Sequence, residues 1–240
     1  MAKESGLNMR LYVSGYDLSG DANSLGAVGY TNELYDVTTL SDSSTARLLG
    51  KVDGTLTVNG YFDNAANKIH AVFSGNSGKI PTADVNVLVP LSSAAGDPCY
   101  GLVAKEAEYN TDRSDSGPIT VYSSFAANGY APQFGEMITT HDDTAASGTV
   151  NSAVVDSGAS SSSGASGFLQ VFSVASGTPT IKIQHATSSG GTYSDLISFT
   201  AVTDRTSEYK EVSGTVNRYL RYNVTGTYTT VNFAVALSRT

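Results

Sequence analysis

The stretch Arg218-Tyr-Leu-Arg-Tyr-Asn-Val224 alternates between two kinds of side chain. Leu220, Tyr222 and Val224 fall on one face of an extended chain, and the residues between them fall on the other. This period of two is the pattern of a β-strand with one buried face, because successive side chains of a strand point to opposite sides. The stretch therefore predicts a strand.

Similar short runs lie on both sides of it, each rich in β-branched and aromatic residues and bounded by Gly, Ser, Thr or Asp turns. With Val150–Val155 they recur about every 8–14 residues, a spacing typical of antiparallel β-sandwiches. Residues 149–240 are therefore predicted to form an antiparallel β-sandwich, Ig-like or jelly-roll-like. The other runs are Gly167–Val174, Thr180–His185, Leu196–Val202, Tyr209–Val212 and Val231–Leu237.

The N-terminal part is mixed in pattern but mostly β. One helix is predicted over residues 64–74, because Ile69 and Phe73 belong to an apolar set at helical spacing. Asp63 can cap its first turn, and Gly75 supplies a stop. The predicted strands are Leu7–Val13, Gly54–Phe62, Ala83–Val89, Tyr100–Tyr109 and Ile119–Phe125.

Residues 17–50 contain many polar turn residues, among them Asp17, Asp21 and Asp42. They are predicted to contain a long loop, and loops of that length in compact domains are usually functional or form interfaces. The fold class predicted for the whole chain is mainly β.

The charge is divided unevenly along the 240 residues, whose net charge is −8. Residues 1–148 hold 8 Lys and Arg against 17 Asp and Glu, a net −9, whereas residues 149–240 hold 6 against 5, a net +1. Segments rich in Gly, Ser and Ala occur at 144–148 and 158–167, and such segments are typical of linkers or exposed loops. We therefore predict two domains, 1–148 and 149–240.

Composition excludes several classes of protein. No run of about 18 apolar residues is present, so no membrane-spanning helix is expected, and the first residues lack the apolar core of a cleaved leader. Cys99 stands alone, which excludes an internal disulfide and a multi-cysteine metal site. Acidity without a basic cluster argues against a protein that grips nucleic acid through its phosphates.

Candidate catalytic and binding motifs fail on inspection. The segment 75–79 lacks the first Gly and the final Ser or Thr of a phosphate-binding loop, and 21–32 lacks two ligands of a calcium loop. His141-Asp142-Asp143 has no nucleophile motif beside it, and Glu106 and Glu108 are predicted to be a surface pair on one strand face. We therefore expect no catalytic, cofactor or metal site, and a structural or interaction protein rather than an enzyme.

Residues 37–63 hold a denser pattern, Gly-x-x-Asp-Gly-x-Leu-x-x-x-Gly-Tyr-Phe-Asp, and a short predicted helix follows. This pattern resembles the tail tube, or major tail, proteins of long-tailed double-stranded-DNA bacteriophages. The opening Tyr16–Gly20 loop is also similar, and residues 214–237 resemble the extra β-sandwich that decorates some of these proteins. The matching positions are Gly50, Asp53, Gly54, Leu56, Gly60, Tyr61, Phe62 and Asp63.

The resemblance implies a virion protein of the phage tail, assembled in the host cytoplasm. Residues 1–148 would form a β-sandwich or barrel-like tail tube domain, and residues 149–240 a decoration domain on the exterior. Homo-hexameric rings would stack into a tube with other tail proteins at its ends, and double-stranded DNA would pass through without specific binding. Asp17, Asp21 and Asp42 would belong to a loop between rings that orders on assembly.

Other interpretations remain open at this stage. The chain fits a capsid decoration or head-fibre protein that forms trimers, or a carbohydrate-binding module. For the latter, tyrosines of the C-terminal part would offer an aromatic platform, although strand tyrosines more often pack across strands. Those tyrosines are Tyr193, Tyr209, Tyr219, Tyr222 and Tyr228.

Overall fold

A computed structural model describes residues 8–75, 80–113 and 115–240 and consists almost entirely of antiparallel strands with one short helix. The mainly β prediction is confirmed. The N-terminal elements are β1 Tyr12–Val13, β2 Tyr16–Asp17, β3 Ala22–Asp36, β4 Arg47–Tyr61, α1 Ile69–Phe73, β5 Val85–Pro90, β6 Pro98–Arg113 and β7 Ile119–Ala127. The remaining strands are β8 Gln133–Met137, β9 Asp143–Ala146, β10 Val150–Asn151, β11 Val155–Asp156, β12 Ala165–Val174, β13 Thr180–Ala186, β14 Ser194–Ser198, β15 Thr206–Val212, β16 Tyr219–Thr225 and β17 Thr230–Arg239.

The C-terminal strands form the predicted sandwich. One layer contains β15, β12 and β17, and the other follows the order β10-β16-β13-β14, with β11 also paired to β16. Strand β16 behaves as its alternation predicts, since Leu220 and Val224 are fully buried and Tyr222 nearly so. The core between the layers includes Ile181, Ile183, Val216, Val231 and Phe233.

The N-terminal strands form a curled sheet in the order β3-β4-β7-β6-β5-β1-β2. Its inner side packs on α1, because Ile69 and Phe73 are buried against strand residues such as Leu56 and Phe125. The rings of Phe73 and Phe125 meet edge-on at 5.3 Å. This apolar core fixes which side of β4 and β7 faces the protein and which side faces solvent.

Strand β8 joins the two halves of the chain. It pairs with β6 at Tyr100 and with β17 at Ala236, so the sheet runs without a break from the N-terminal to the C-terminal strands. Gln170 of β12 lies fully buried between the halves, accepting a hydrogen bond from Gly15 N and donating one to the Asn86 carbonyl at 2.9 Å. The division at 148 stays a prediction, and β9 already lies before it on β17.

The predicted helix is too long. Only Ile69–Phe73 is helical, because Asn67 has a φ of +67°, which a helix does not accommodate. The Asp63 carboxylate accepts the N–H of Ala65 in a turn instead of capping a helix. The helix ends where the sequence predicts, before Gly75, which has a φ of +64°.

The prediction of a long loop at 17–50 is also wrong. Most of these residues belong to β3 and β4, which pair along 15 residues each, and only residues 37–46 form the turn between them. The two strands of the hairpin pair with each other within the chain, and ordering of its tip on assembly stays a prediction. Bulges within the pairing, such as that between Gly26 and Gly29, break the simple alternation by which a strand is recognised.

Glu106 does not form the predicted surface pair with Glu108. A bulge lies between the two residues, so Glu108 is exposed whereas Glu106 is buried on the core side of β6. The Ser123 hydroxyl donates a hydrogen bond to the Glu106 carboxylate at 2.7 Å. Burial outweighs this bond and raises the pKa of Glu106 from its ordinary 4.5 to about 7.

We expect Glu106→Gln to remove a pH dependence of stability. In the wild type, the folded carboxyl holds its proton above the pH at which the unfolded chain releases it, so the free energy of unfolding falls as pH rises from about 4.5 to about 7. The variant does not lose this stability, so its free energy of unfolding should exceed that of the wild type by roughly 1–3 kcal/mol at pH 8, with little difference at pH 4. Urea unfolding measures the free energy at both pH values, and Glu108→Gln is the control. An equal difference between Glu106→Gln and wild type at the two pH values would contradict the account.

Candidate assembly surface

The distal part of the β3–β4 hairpin projects from the body of the protein. We call residues 30–53 the hairpin arm. All of them are exposed except Ala46 and Gly50, which are half-buried. Leu34 and Leu49 are 57% and 69% exposed, and Leu40 at the tip is fully exposed. Among the residues that the structure describes, eight of the thirteen exposed large apolar ones lie on the arm: Tyr30, Leu34, Tyr35, Val37, Leu40, Leu48, Leu49 and Val52.

One face of the arm continues the core-facing side of the sheet. Tyr30 pairs with Gly54 and Leu34 with Leu49, and the same side of β4 carries the buried Leu56 further along. At the base of the hairpin this side is covered by the protein's own core, whereas in the arm it is bare. Two strands without a covered face are at best marginally stable in water, and apolar patches of this kind mark interaction sites.

The edge of β3 is also free. Within the described residues, β3 pairs only with β4, so a strand of 15 residues leaves its second row of backbone groups without a neighbouring strand. Such an edge is a template for pairing with another chain. The bare face and the free edge belong to the same hairpin.

The other side of β4 and β7, and of β6 from Lys105 onward, is a polar surface, which we call the polar wall. Its rows are set by the strand register, in which Thr57 lies beside Ser124 and Asn59 beside Tyr122. Among the described residues its one cation is Lys105, which forms an ion pair with Asp84 at 2.9 Å. The members of the wall are Thr55, Thr57, Asn59, Tyr61, Lys105, Glu108, Asn110, Asp112, Thr120, Tyr122, Ser124 and Ala126.

The glycines of the sequence motif permit close approach within the hairpin and at its base. A methyl group on Gly54 would overlap the ring of Pro132, and one on Gly50 would meet the ring of Tyr35. One on Gly60 would lie 2.6 Å from the Asp21 carbonyl oxygen. Side chains at these positions would push apart segments that the fold holds together.

The other motif positions are spread around the same base. Leu56 is fully buried, and the ring of Phe62 packs 4.6 Å from that of His70. Asp63 holds the turn before α1, and the Asp53 carboxylate accepts the N–H of Gly54 at 2.8 Å. Tyr61 is half exposed at the end of the polar wall. These contacts maintain the fold, and none forms a reactive constellation.

The three aspartates predicted to contact another ring lie on three different elements. Asp17 is exposed on β2, where it accepts the N–H of Ser19. Asp21 is buried and accepts the N–H of Ile69 at 3.1 Å and the ammonium of Lys68 at 3.2 Å, so it fixes the start of α1. Asp42 alone lies on the arm, where hydrogen bonds from Thr39 lower its pKa.

The tyrosines of the C-terminal part do not form one sugar-binding platform. Tyr222 and Tyr228 are buried, and Tyr209 lies in the opposite layer, 4.9 Å from the ring of Phe168. Tyr193 and Tyr219 each carry an arginine over the ring, at 4.1 and 5.1 Å. The alternative given in the sequence analysis, that strand tyrosines pack against neighbouring strands, describes Tyr222 and Tyr228.

Within the described ranges, no cluster of three or more His, Cys, Asp or Glu residues is placed to hold a metal ion. His141 instead binds the Asn8 carbonyl at 2.7 Å. No helix among those residues has the length and apolarity to cross a membrane. The phosphate-loop candidate at 75–79 lies, apart from Gly75, outside the described residues.

No known family profile matches the sequence, and neither does any curated protein. Solved structures are similar to it at low identity. One is the tail of an empty gene transfer agent particle with C6 symmetry, 18% identical over 55% of this chain and 98% of that chain, with a TM-score of 0.41. A sheath/tube terminator of an extracellular contractile injection system is 8% identical over 56% of this chain and 97% of that chain, with a TM-score of 0.46.

A third similar structure is the Dit protein of phage SPP1, described as a hub adsorption apparatus protein. It is 8% identical over 96% of this chain and 99% of that chain, with a TM-score of 0.37. Because these TM-scores lie below 0.5, the function of this chain has to be inferred from its own surfaces.

We expect Gly54→Ala to destabilise the protein by about 1–3 kcal/mol, because the added methyl group forces Pro132 away from the hairpin base. Gly29→Ala is the matched control. Gly29 pairs with Thr55 on the facing strand, and a methyl group there meets nothing within 4 Å. In thermal unfolding, the Tm of Gly54→Ala should lie below that of the wild type, whereas the Tm of Gly29→Ala should lie within a few degrees of it. Equal values would contradict the role given to the Gly54–Pro132 contact.

Proposed function

We propose that this chain is a tail tube subunit whose copies form hexameric rings that stack into a tube. The observation that carries the proposal is the hairpin arm, which exposes apolar side chains and a free strand edge. Both features are removed from water when neighbouring copies cover them. A subunit built this way is complete only within an assembly of its own kind.

Closing a ring through the hairpins determines which way the polar wall faces. The opposite side of the sheet is covered by α1, β1 and β5, so that side is thicker than the sheet alone. A sheet closed into a cylinder therefore accommodates this bulk on the outside and turns its uncovered side inward. The polar wall then lines the channel, and the C-terminal sandwich lies on the exterior as decoration.

The chemistry of the polar wall suits a channel through which double-stranded DNA moves. Each lysine or arginine that neutralises a phosphate adds a salt-dependent attraction, and this wall offers only Lys105, already paired with Asp84. Glu108 and Asp112 add negative charge instead. We propose that the wall lets a genome pass without specific binding, with other tail proteins at the tube ends and assembly in the host cytoplasm.

We expect Leu34→Asp/Leu49→Lys to prevent assembly while leaving the subunit folded. Both leucines are exposed and lie opposite each other on the two strands, so their replacement by opposite charges costs the monomer little. It removes about 3 kcal/mol or more of apolar burial from each contact, which raises the concentration needed for assembly at least about a hundredfold. Sedimentation velocity and negative-stain microscopy measure assembly, and urea unfolding measures the fold.

Val154→Asp is the control, since Val154 is an exposed apolar residue away from the arm. Wild type and Val154→Asp should both form tubes or six-fold rings, and the double variant should stay monomeric. Discrete trimers of the wild type would support a capsid decoration protein instead. A wild type that stays monomeric at all concentrations would also contradict the proposal.

We expect Thr57→Lys/Ser124→Lys to make assembled tubes retain DNA inside them. The added cations face the channel, so a short duplex should be held at about 50 mM salt, be released near 200 mM, and be protected from nuclease. Ser188→Lys/Ser189→Lys, on an exposed C-terminal loop, is the control, and DNA held there should be digested. Retained DNA that is digested equally in both variants would place the polar wall outside the channel.

A further inference from the structure

The chain contains two Asn-Gly pairs, Asn59-Gly60 and Asn128-Gly129. Asparagine is a thermolabile residue, because the backbone nitrogen of the next residue can attack its side-chain amide carbon. Glycine as the next residue favours this attack, since it has no Cβ to obstruct the approach and accepts backbone angles that other residues avoid. The structure places the two pairs in opposite surroundings.

The pair Asn59-Gly60 is held in the middle of the sheet. It lies in β4, where Asn59 pairs with Ser24 of β3 on one side and with Tyr122 of β7 on the other. Gly60 is buried, and a methyl group on it would lie 2.6 Å from the Asp21 carbonyl oxygen. The attack requires the backbone to rotate out of its extended conformation, which would break the pairing of β4 on both sides.

The pair Asn128-Gly129 is open to water. Pairing between β6 and β7 ends at Ala127, so this pair begins the loop that leads to β8. Both residues are exposed, and Gly129 has a φ of +77° with nothing within 4 Å of the position of a Cβ. Among the described residues, no backbone carbonyl accepts the N–H of Gly129. The attacking nitrogen is therefore free of the ladder that holds Gly60.

The side chain of Asn128 lies beside two charged groups. Its Nδ2 donates a hydrogen bond to the Asp84 carboxylate at 2.8 Å, and the Lys105 ammonium lies 2.9 Å from the same carboxylate. Hydrogen bonds from Lys105 and then from Asn128 lower the pKa of Asp84, so this carboxyl is charged at neutral pH. A carboxylate in place of the Asn128 amide would repel Asp84 where the amide now donates to it.

We propose that Asn128 is a site of spontaneous deamidation, which converts it to aspartate and isoaspartate without an enzyme. Hydroxide takes the N–H proton of Gly129, a bond forms between Gly129 N and Asn128 Cγ, and the bond between Cγ and Nδ2 breaks. Nδ2 takes a proton from water and leaves as ammonia. A second water opens the resulting five-membered succinimide ring at one of its two carbonyls. Opening at the backbone carbonyl gives isoaspartate, in which the main chain runs through the side-chain carbon.

Isoaspartate adds one carbon to the main chain between two fixed points. Asn128 N donates to the Val103 carbonyl at 2.9 Å, and further along the loop the Pro132 ring fills the space beside Gly54. A longer connection displaces Pro132 at a place where the packing leaves no room for a methyl group. The modification therefore adds a negative charge beside Lys105 and loosens the base of the hairpin.

The test is incubation of the folded full chain at mildly alkaline pH, followed by peptide mass spectrometry and labelling with an isoaspartyl methyltransferase. Asn128 should gain the mass difference between a carboxyl and an amide group, and should do so at least about tenfold faster than Asn59. In concentrated urea the two pairs should react at comparable rates, because no strand pairing then protects Asn59. An intact Asn128, or equal rates at the two pairs in the folded chain, would overturn the proposal.

Asn128→Gln is the matched variant for the structural consequence. Its side chain keeps an amide, but attack by Gly129 N would have to close a six-membered ring, which forms more slowly. The Tm of the incubated wild type should fall below that of the fresh protein, whereas the Tm of incubated Asn128→Gln should not change. A modified wild type with an unchanged Tm, or equal losses in both proteins, would overturn the effect on the hairpin base. These measurements do not depend on self-assembly, so their failure and that of the tube proposal are distinguishable.

Discussion

The fold depends on one extended ladder of backbone hydrogen bonds, between β3 and β4. Near its base, the ladder lies on the protein's own core, where Leu56 and Val58 are fully buried. Further out the same side of the sheet loses that cover, and Leu34 and Leu49 face water. Since a sheet is stable when at least one side is covered, we propose that the ladder that begins inside one subunit is completed by another. The hairpin would then be both a structural element and an assembly element.

The arm keeps a fixed orientation relative to the rest of the subunit only if the base of this ladder is rigidly packed. Gly54 admits the Pro132 ring, and Gly60 admits Asp21, whose carboxylate in turn fixes the start of α1. From Pro132 the chain enters β8, which ties the N-terminal sheet to the C-terminal sandwich. These contacts hold the arm and the polar wall on one continuous framework.

Sequence reasoning succeeded where one side of a strand is regularly buried. In β13 and β16, Ile183 and Leu220 face the core as their residues indicate, although Asn223 on the other face of β16 is buried as well, where it donates a hydrogen bond to Asn151. It failed where bulges shift the period. The bulge beside Glu106 turns that residue inward, and those in β3 hide a long strand within a polar segment. The contact of Gly54 with Pro132 joins distant parts of the chain, so no local pattern could predict it.

Amide hydrogen exchange of the free and the assembled chain tests the central claim, that the arm and the β3 edge are covered by other copies. The account predicts that amides of the arm, residues 30–53, exchange quickly in dilute monomer and at least about tenfold more slowly in the assembly, while those of the buried β12 change little. Equal exchange of residues 30–53 in the two states would mean that the arm stays in water. The hairpin would then have no part in assembly, and the account would be contradicted.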